Sequence, residues 1–265
     1  MRRVVRALSL AALAGSLTLA TPAVAKDKPD AILKTTTIEA CVTIDPALKA
    51  YRGLYPRLLA AGKRQMEKSR LDADRDYRES PDAFSDGRRC EFERTVRQES
   101  AIQGYVSVVR VDYSYTAGAA HPNRVIDTLL WDSKAGRFIN VRRFFKETKT
   151  GGSAMRTLAA AVRAAVLAEK KARGIPQEVA GDPMWMKDVK PDLTKIGGLT
   201  LAPSTERGKS AGLFANFSPY AVGPYAEGAY VVFVPWTVFK AHLSPAGIRL
   251  FGGTRPPGDA GHDKP

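Results

Sequence analysis

Few residues in this chain are placed to do chemistry. Of three histidines, only His121 stands in a suggestive setting, the small-residue run Thr116-Ala117-Gly118-Ala119-Ala120-His121-Pro122-Asn123 between two strand patterns. Small residues such as Gly118 let a backbone approach a ligand closely, and an imidazole there could bind, or move a proton together with Asp112 or Asp127 on the flanking strands. The same imidazole could simply hydrogen-bond loop backbone and fix the turn. With no partner serine, cysteine or metal ligand in view, this second reading is the stronger one. His242 falls in a helical pattern and His262 in the tail. The chain carries no H-E-x-x-H, G-x-S-x-G, Walker or G-x-G-x-x-G motif, so no metal, cofactor or familiar nucleophile is expected.

A second unusual segment is Phe217-Ser218-Pro219-Tyr220-Ala221-Val222-Gly223-Pro224-Tyr225-Ala226-Glu227-Gly228. Two Pro-Tyr pairs among glycines make a stiff loop, and stiffness lets phenol rings be displayed at low entropic cost. Folding back, with the tyrosines plugging one end of the core, is an equally good reading of the same residues.

The elements that must position these loops follow from periodicity. Thr35 to Ile44 reads as a strand, and Asp45-Pro46 opens a helix with Asp45 as its cap. Pro56 should restart or kink that helix, which then runs to about Tyr77 as a solvated helix with a narrow apolar stripe. Phe92 to Gln98 is a weaker strand. Tyr105 to Tyr115 reads as a strand whose odd positions from Val109 onward are apolar or aromatic and whose even ones are polar, Arg124 to Trp131 is a further strand, and Asp132 to Gly136 has the composition of a hairpin loop before Arg137 to Val141. An antiparallel meander is expected. Between Gly152 and Gly174 lies the best helix of the chain, with Lys170, Lys171 and Arg173 where the helix dipole favours cations. Short strands follow at Leu199 to Leu201, Gly212 to Phe217 and Gly228 to Val234, then a helix near Trp236 to Leu243. Gly252 to Pro265 holds too little apolar content to order itself. The fold class is α+β, an antiparallel meander with packed helices. The expected division is a leader over 1–25, an N-terminal α/β portion over 26–90, a C-terminal domain over 91–251 and a disordered tail over 252–265.

Residues 1–25 have a basic start, an Ala/Leu-rich middle and an Ala-Val-Ala ending, the pattern of a secretory signal cleaved after Ala25. Export to the periplasm or the exterior, with no stable membrane insertion after cleavage, is the expectation. The leader holds three arginines and no acids, so the remainder carries 38 basic against 27 acidic residues, a net +11. No basic motif interleaved with aromatics is present, which sets nucleic acid aside. Polyanionic wall polymers or anionic lipid surfaces suit the charge better, although a solvated basic surface explains it at least as well. Cys41 and Cys90 are the only cysteines, and in an oxidising compartment they are expected to form a structural disulfide contributing roughly 4 kcal/mol.

Taken in order, Tyr113 to Asn123, Arg143-Phe144-Phe145, Gly212 to Phe217, Pro219-Tyr220, Gly223 to Gly228 and Val234-Pro235 resemble a bacterial cell-envelope domain of unknown function. That domain forms the extracellular part of lysozyme-sensing anti-sigma factors of the RsiV type and the region beside the catalytic domain of PdaC-type deacetylases. The resemblance spans about Phe92 to Leu243. It implies an α+β fold and a contact surface at Pro219, Tyr220, Pro224 and Tyr225, with Gly118, His121 and Pro122 alongside, and a peptidoglycan or lysozyme-like partner. The chain has no sigma-binding region and no deacetylase metal motif, so neither of those activities is implied. The residues therefore favour a non-catalytic binding module, with an envelope hydrolase using His121, or a purely structural envelope protein, as the alternatives.

Overall fold

A computed structural model describes residues 28–258. Residues 1–27, which include the expected leader, and residues 259–265 lie outside them. Six strands form the main sheet in the order β1 (Ala31–Lys34), β2 (Ile38–Ile44), β3 (Cys90–Ile102), β4 (Tyr105–Tyr115), β5 (Asn123–Asp132) and β6 (Arg137–Ile139). The expected meander is there in β3 to β6, all antiparallel. β2 and β3 instead run parallel, Ile38 opposite Cys90 and Ile44 opposite Val96. A parallel pair needs a long crossover, and helix α1 (Leu54–Glu79) supplies it. Pro56 sits in the first turn of α1, where its missing N–H has no intrahelical partner to lose, so it neither kinks nor restarts the helix. Asp45 caps only a short 3₁₀ turn, Pro46–Ala50, accepting the Ala47 N–H at 2.8 Å.

The two faces of this sheet are covered differently. On one, Ala40, Val42, Ile44, Phe92, Val96, Val106, Val108 and Trp131 pack with Leu48, Leu54, Leu58 and Met66. α1 approaches so closely that a Cβ on Gly62 would lie 2.8 Å from Val42 Cγ1, which explains a glycine in mid-helix. Beneath α1 the guanidinium of Arg94, 4% exposed, donates to Asp112 from Nε at 2.6 Å and Nη2 at 2.5 Å, and to the Ala61 carbonyl at 3.2 Å.

The other face meets a second, three-stranded antiparallel sheet, β7 (Gly198–Ala202), β8 (Gly212–Phe217) and β9 (Tyr230–Pro235). The junction is polar but satisfied. Ser100 Oγ donates to the Leu201 carbonyl at 2.7 Å, and Ser107 Oγ accepts the Leu201 N–H at 3.0 Å. Helix α2 (Ser153–Ala172) closes the stack on β9, burying Met155, Leu158, Val162 and Val166 with Leu213, Ala215, Val232 and Val234. The main sheet runs without a break across residue 90, and its two faces carry the two cores.

Two expectations need correction here. Cys41 and Cys90 form no disulfide. Cys41 lies opposite Glu93 and Cys90 opposite Ile38, three residues apart along neighbouring strands and on opposite faces. Their Cα atoms are thus about 11 Å apart by strand geometry, beyond the roughly 7 Å a disulfide spans. The tail also orders further than its composition indicates. Gly252 N–H donates to Ser210, Thr205 N–H to Thr254, and Trp236 Nε1 to Gly253, while Arg255 lies over the rings of Phe214 and Phe233 at 5.5 and 5.3 Å. Its order is borrowed from the second sheet.

Candidate functional site

The β4–β5 loop, Thr116 to Pro122, is pinned from behind. Buried Ala117 donates its N–H to Cys90 Sγ at 3.4 Å, and Gly118, at φ +80°, backs on Ala83, whose Cβ would be 3.2 Å from an added Cβ. The chain is thereby turned so that His121 projects into solvent. Its Nδ1 lies 2.8 Å from the Pro122 carbonyl. A carbonyl only accepts, so Nδ1 is the donor in this contact.

The second loop is held at both ends. At its start, Ser218 Oγ accepts the Ile126 N–H from β5 at 2.8 Å and Pro219 is buried. At its end the 3₁₀ turn Tyr225–Glu227 returns the chain to β9. The anchor there comes from α2. Lys170, 0% exposed, places its ammonium 2.9 Å from Glu227 Oε2, which also accepts the Tyr230 hydroxyl at 2.5 Å. Arg173 stacks over the Tyr230 ring at 4.0 Å and donates to the carbonyls of Glu227 and Ala229 at 2.9 and 3.1 Å. Burial and the adjacent Glu227 carboxylate raise the Tyr230 phenol well above its ordinary range, so it remains a donor. A Cβ at Gly223 would come within 2.2 Å of Glu227 Oε2, so any larger residue there would displace the carboxylate from Lys170 and Tyr230.

Between these anchors Tyr220 adopts φ +69°, a conformation bulky side chains rarely take, and is 50% exposed. Its ring is displayed rather than folded back into the core. The two loops meet through their rings. His121 stacks on Tyr225 with centroids 4.6 Å apart and planes at 29°, Tyr220 lies 5.4 Å from Tyr225, and His121 lies 6.4 Å from Tyr220. Tyr113 borders the cluster from β4. Burial, the hydrogen-bonded Glu91 and nearby Glu93 raise its phenol above the ordinary range.

Of the residues singled out in the sequence, His121, Tyr220 and Tyr225 are therefore brought together. Pro122 and Pro224 flank them half-buried, Pro219 lies beneath, and Gly118 serves the back of its loop. The carboxylates named as partners for His121 are engaged elsewhere. Asp112 is held by Arg94, and Asp127 by Arg110, on the opposite side of the main sheet. His242 Nε2 lies 3.1 Å from Thr157 Oγ1, and His262 falls outside the described residues. Among the described residues no group of three or more His, Cys, Asp or Glu side chains could hold a metal ion. No described helix is long and apolar enough to cross a membrane. Sequence reasoning missed Lys170, Glu227 and Tyr230, the set that fixes the loop. The sequence reading gives Lys170 only a place among the cations favoured by the helix dipole, and the signal that marks it out is a lysine on the apolar stripe, four residues after Val166.

No protein-family model matches the chain, and no curated protein matches it either. A solved structure does, with a TM-score of 0.54, 17% identity, and 82% of this chain aligned to 89% of the other. That structure is a DUF3298 family member from Bacteroides fragilis NCTC 9343. This chain shares the fold of a DUF3298 protein. A second DUF3298 family protein, from Pseudomonas aeruginosa PAO1, aligns over 82% of this chain and 87% of its own at 14% identity and a TM-score of 0.47. The DUF3298 fold, a domain of unknown function, is the mixed α+β arrangement expected from the sequence.

Proposed function

We propose that this chain is an exported, non-catalytic binding module that recognises the glycan of peptidoglycan through His121, Tyr220 and Tyr225. The convergence of three rings from two separately anchored loops carries the reading. Aromatic faces carry partial negative charge, and the C–H-rich faces of pyranose rings pack against such faces. A loop already held in place loses little entropy on binding. The leader-like start and the sequence resemblance to an envelope domain support the location, and the basic balance of the chain suits a polyanionic wall. A hydrolase is disfavoured by Asp112 and Asp127, which are paired with arginines away from His121.

A second reading rests on Glu91 and Glu93, exposed beside Tyr113 at the edge of the cluster. Local acidity would let the same surface meet a basic wall-acting protein such as lysozyme despite the net +11. Sedimentation with purified sacculi at low and high salt, beside a lysozyme pull-down, separates these readings. Sacculus binding that persists at high salt and is lost in Tyr220→Ala and Tyr225→Ala supports the glycan reading. Binding that disappears with salt reports only the basic surface, and capture of lysozyme alone supports the second reading.

A further inference from the structure

A cavity of about 580 Å³ opens beside the aromatic cluster, and Tyr220 and Ala221 form part of its wall. It lies between the outer edge of β5 at Ile126 and Thr128, the end of β8 at Asn216, and the 188–198 segment with Asp188 and Lys195. Cavities of roughly 300–1,000 Å³ are the size that holds a small organic ligand. Of the residues named in the sequence for chemistry or binding, Tyr220 and Asp127 border this space.

The strand edge gives the cavity a particular preference. β6 covers β5 only from Leu130 to Asp132, so the edge from Arg124 to Leu129 has no strand beside it. Alternation turns the N–H and carbonyl of Arg124, Ile126 and Thr128 outward. Their N–H groups already have side-chain acceptors: Asn123 Oδ1 at 2.9 Å for Arg124, Ser218 Oγ at 2.8 Å for Ile126, and Asp127 Oδ1 at 2.8 Å for Thr128. The Ile126 carbonyl takes a long hydrogen bond from Ser218 Oγ at 3.5 Å, which leaves the Arg124 and Thr128 carbonyls as acceptors, and the complement of such an edge is a short run of amide donors. Lys195, exposed, adds a positive charge at the mouth, which suits a ligand bearing a carboxylate group, while the exposed Asp188 already lies 3.6 Å from Lys190 Nζ. Ala221 between cavity and cluster makes the two surfaces continuous.

We infer that the cavity is a subsite for the short peptide that hangs from the glycan, so that the ligand is a peptide-bearing amino sugar rather than bare glycan. This inference rests on the glycan reading above. Isothermal titration of the purified protein would use three probes: a disaccharide-tetrapeptide muropeptide, the same disaccharide without peptide, and the free tetrapeptide. The muropeptide is expected to bind at least about tenfold tighter than the disaccharide. Ala221→Trp, which fills the cavity from an exposed position, and Lys195→Glu, which reverses charge at its mouth, are each expected to abolish that gain while leaving disaccharide affinity within about twofold. Equal affinity for muropeptide and disaccharide, or a gain that survives both substitutions, overturns the subsite and leaves the glycan reading standing. Absence of binding by both sugar probes overturns the glycan reading and this inference with it.

Discussion

Replacing Lys170 by methionine tests the anchor that displays Tyr220 and Tyr225. The substitution keeps the length of the side chain and removes its ammonium, leaving the Glu227 carboxylate enclosed beside Tyr230 without its cation. Removing one partner of a buried ion pair costs about 3–5 kcal/mol. For a chain of this size each kcal/mol lowers Tm by about 2–4 °C, so the expected loss is about 6–20 °C. Scanning calorimetry of Lys170→Met, Glu227→Gln and the double variant reads this directly. The double variant leaves no lone charge, so it should be less destabilised than the sum of the singles by at least about 1 kcal/mol. A Lys170→Met protein melting within about 2 °C of the parent, or strictly additive singles, would refute the argument that this pair fixes the loop.

Other consequences follow from the same geometry. Tyr220→Gly removes a ring while relieving a left-handed backbone, so Tm should hold or rise by the equivalent of about 1 kcal/mol as sacculus binding falls; a lower Tm would contradict the strain. Asp132 sits below its ordinary 3.8 because the N–H groups of Ala135 and Lys134 and the Arg143 guanidinium outweigh the raising effect of burial. A depressed carboxyl stabilises above its unfolded pKa, and that stability is lost as pH falls from about 4 through the folded value. Asp132→Asn should therefore flatten the acid limb of a Tm-versus-pH curve, and an unchanged limb would count against the assignment. Cys41 and Cys90 should both titrate as thiols in denaturant after purification without reductant, and added reductant should leave Tm unchanged. A mass two protons short of the dithiol form would contradict the strand register.

Local pattern made much of the fold legible. The strand read over Tyr105 to Tyr115, with its alternation from Val109 onward, is β4 to the residue, Gly212 to Phe217 is β8, and Gly152 to Gly174 brackets α2. What pattern does not encode is partnership. Alternation tells which face of a strand is buried but not which strand lies beside it, so the parallel β2–β3 pair and the separation of Cys41 from Cys90 required the topology. The four-residue edge strand β1 is too short for its periodicity to register, and its Ile32 is exposed. The site was half visible in the same way. Each loop drew notice through its own composition, whereas their convergence depends on Ser218 docking to β5 and Glu227 docking to Lys170, contacts between residues far apart in the chain.

The central claim is that His121, Tyr220 and Tyr225 act as one surface for glycan. Ring resonances of these residues, followed by NMR while soluble peptide-free glycan strands are titrated in, test it most directly. The claim predicts saturable shifts on all three rings with one common Kd, while the rings of Tyr51 and Tyr77, placed on the far side of the main sheet, stay unmoved. Unshifted cluster rings at saturating glycan, or shifts that spread over the basic surface and vanish with salt, would contradict it.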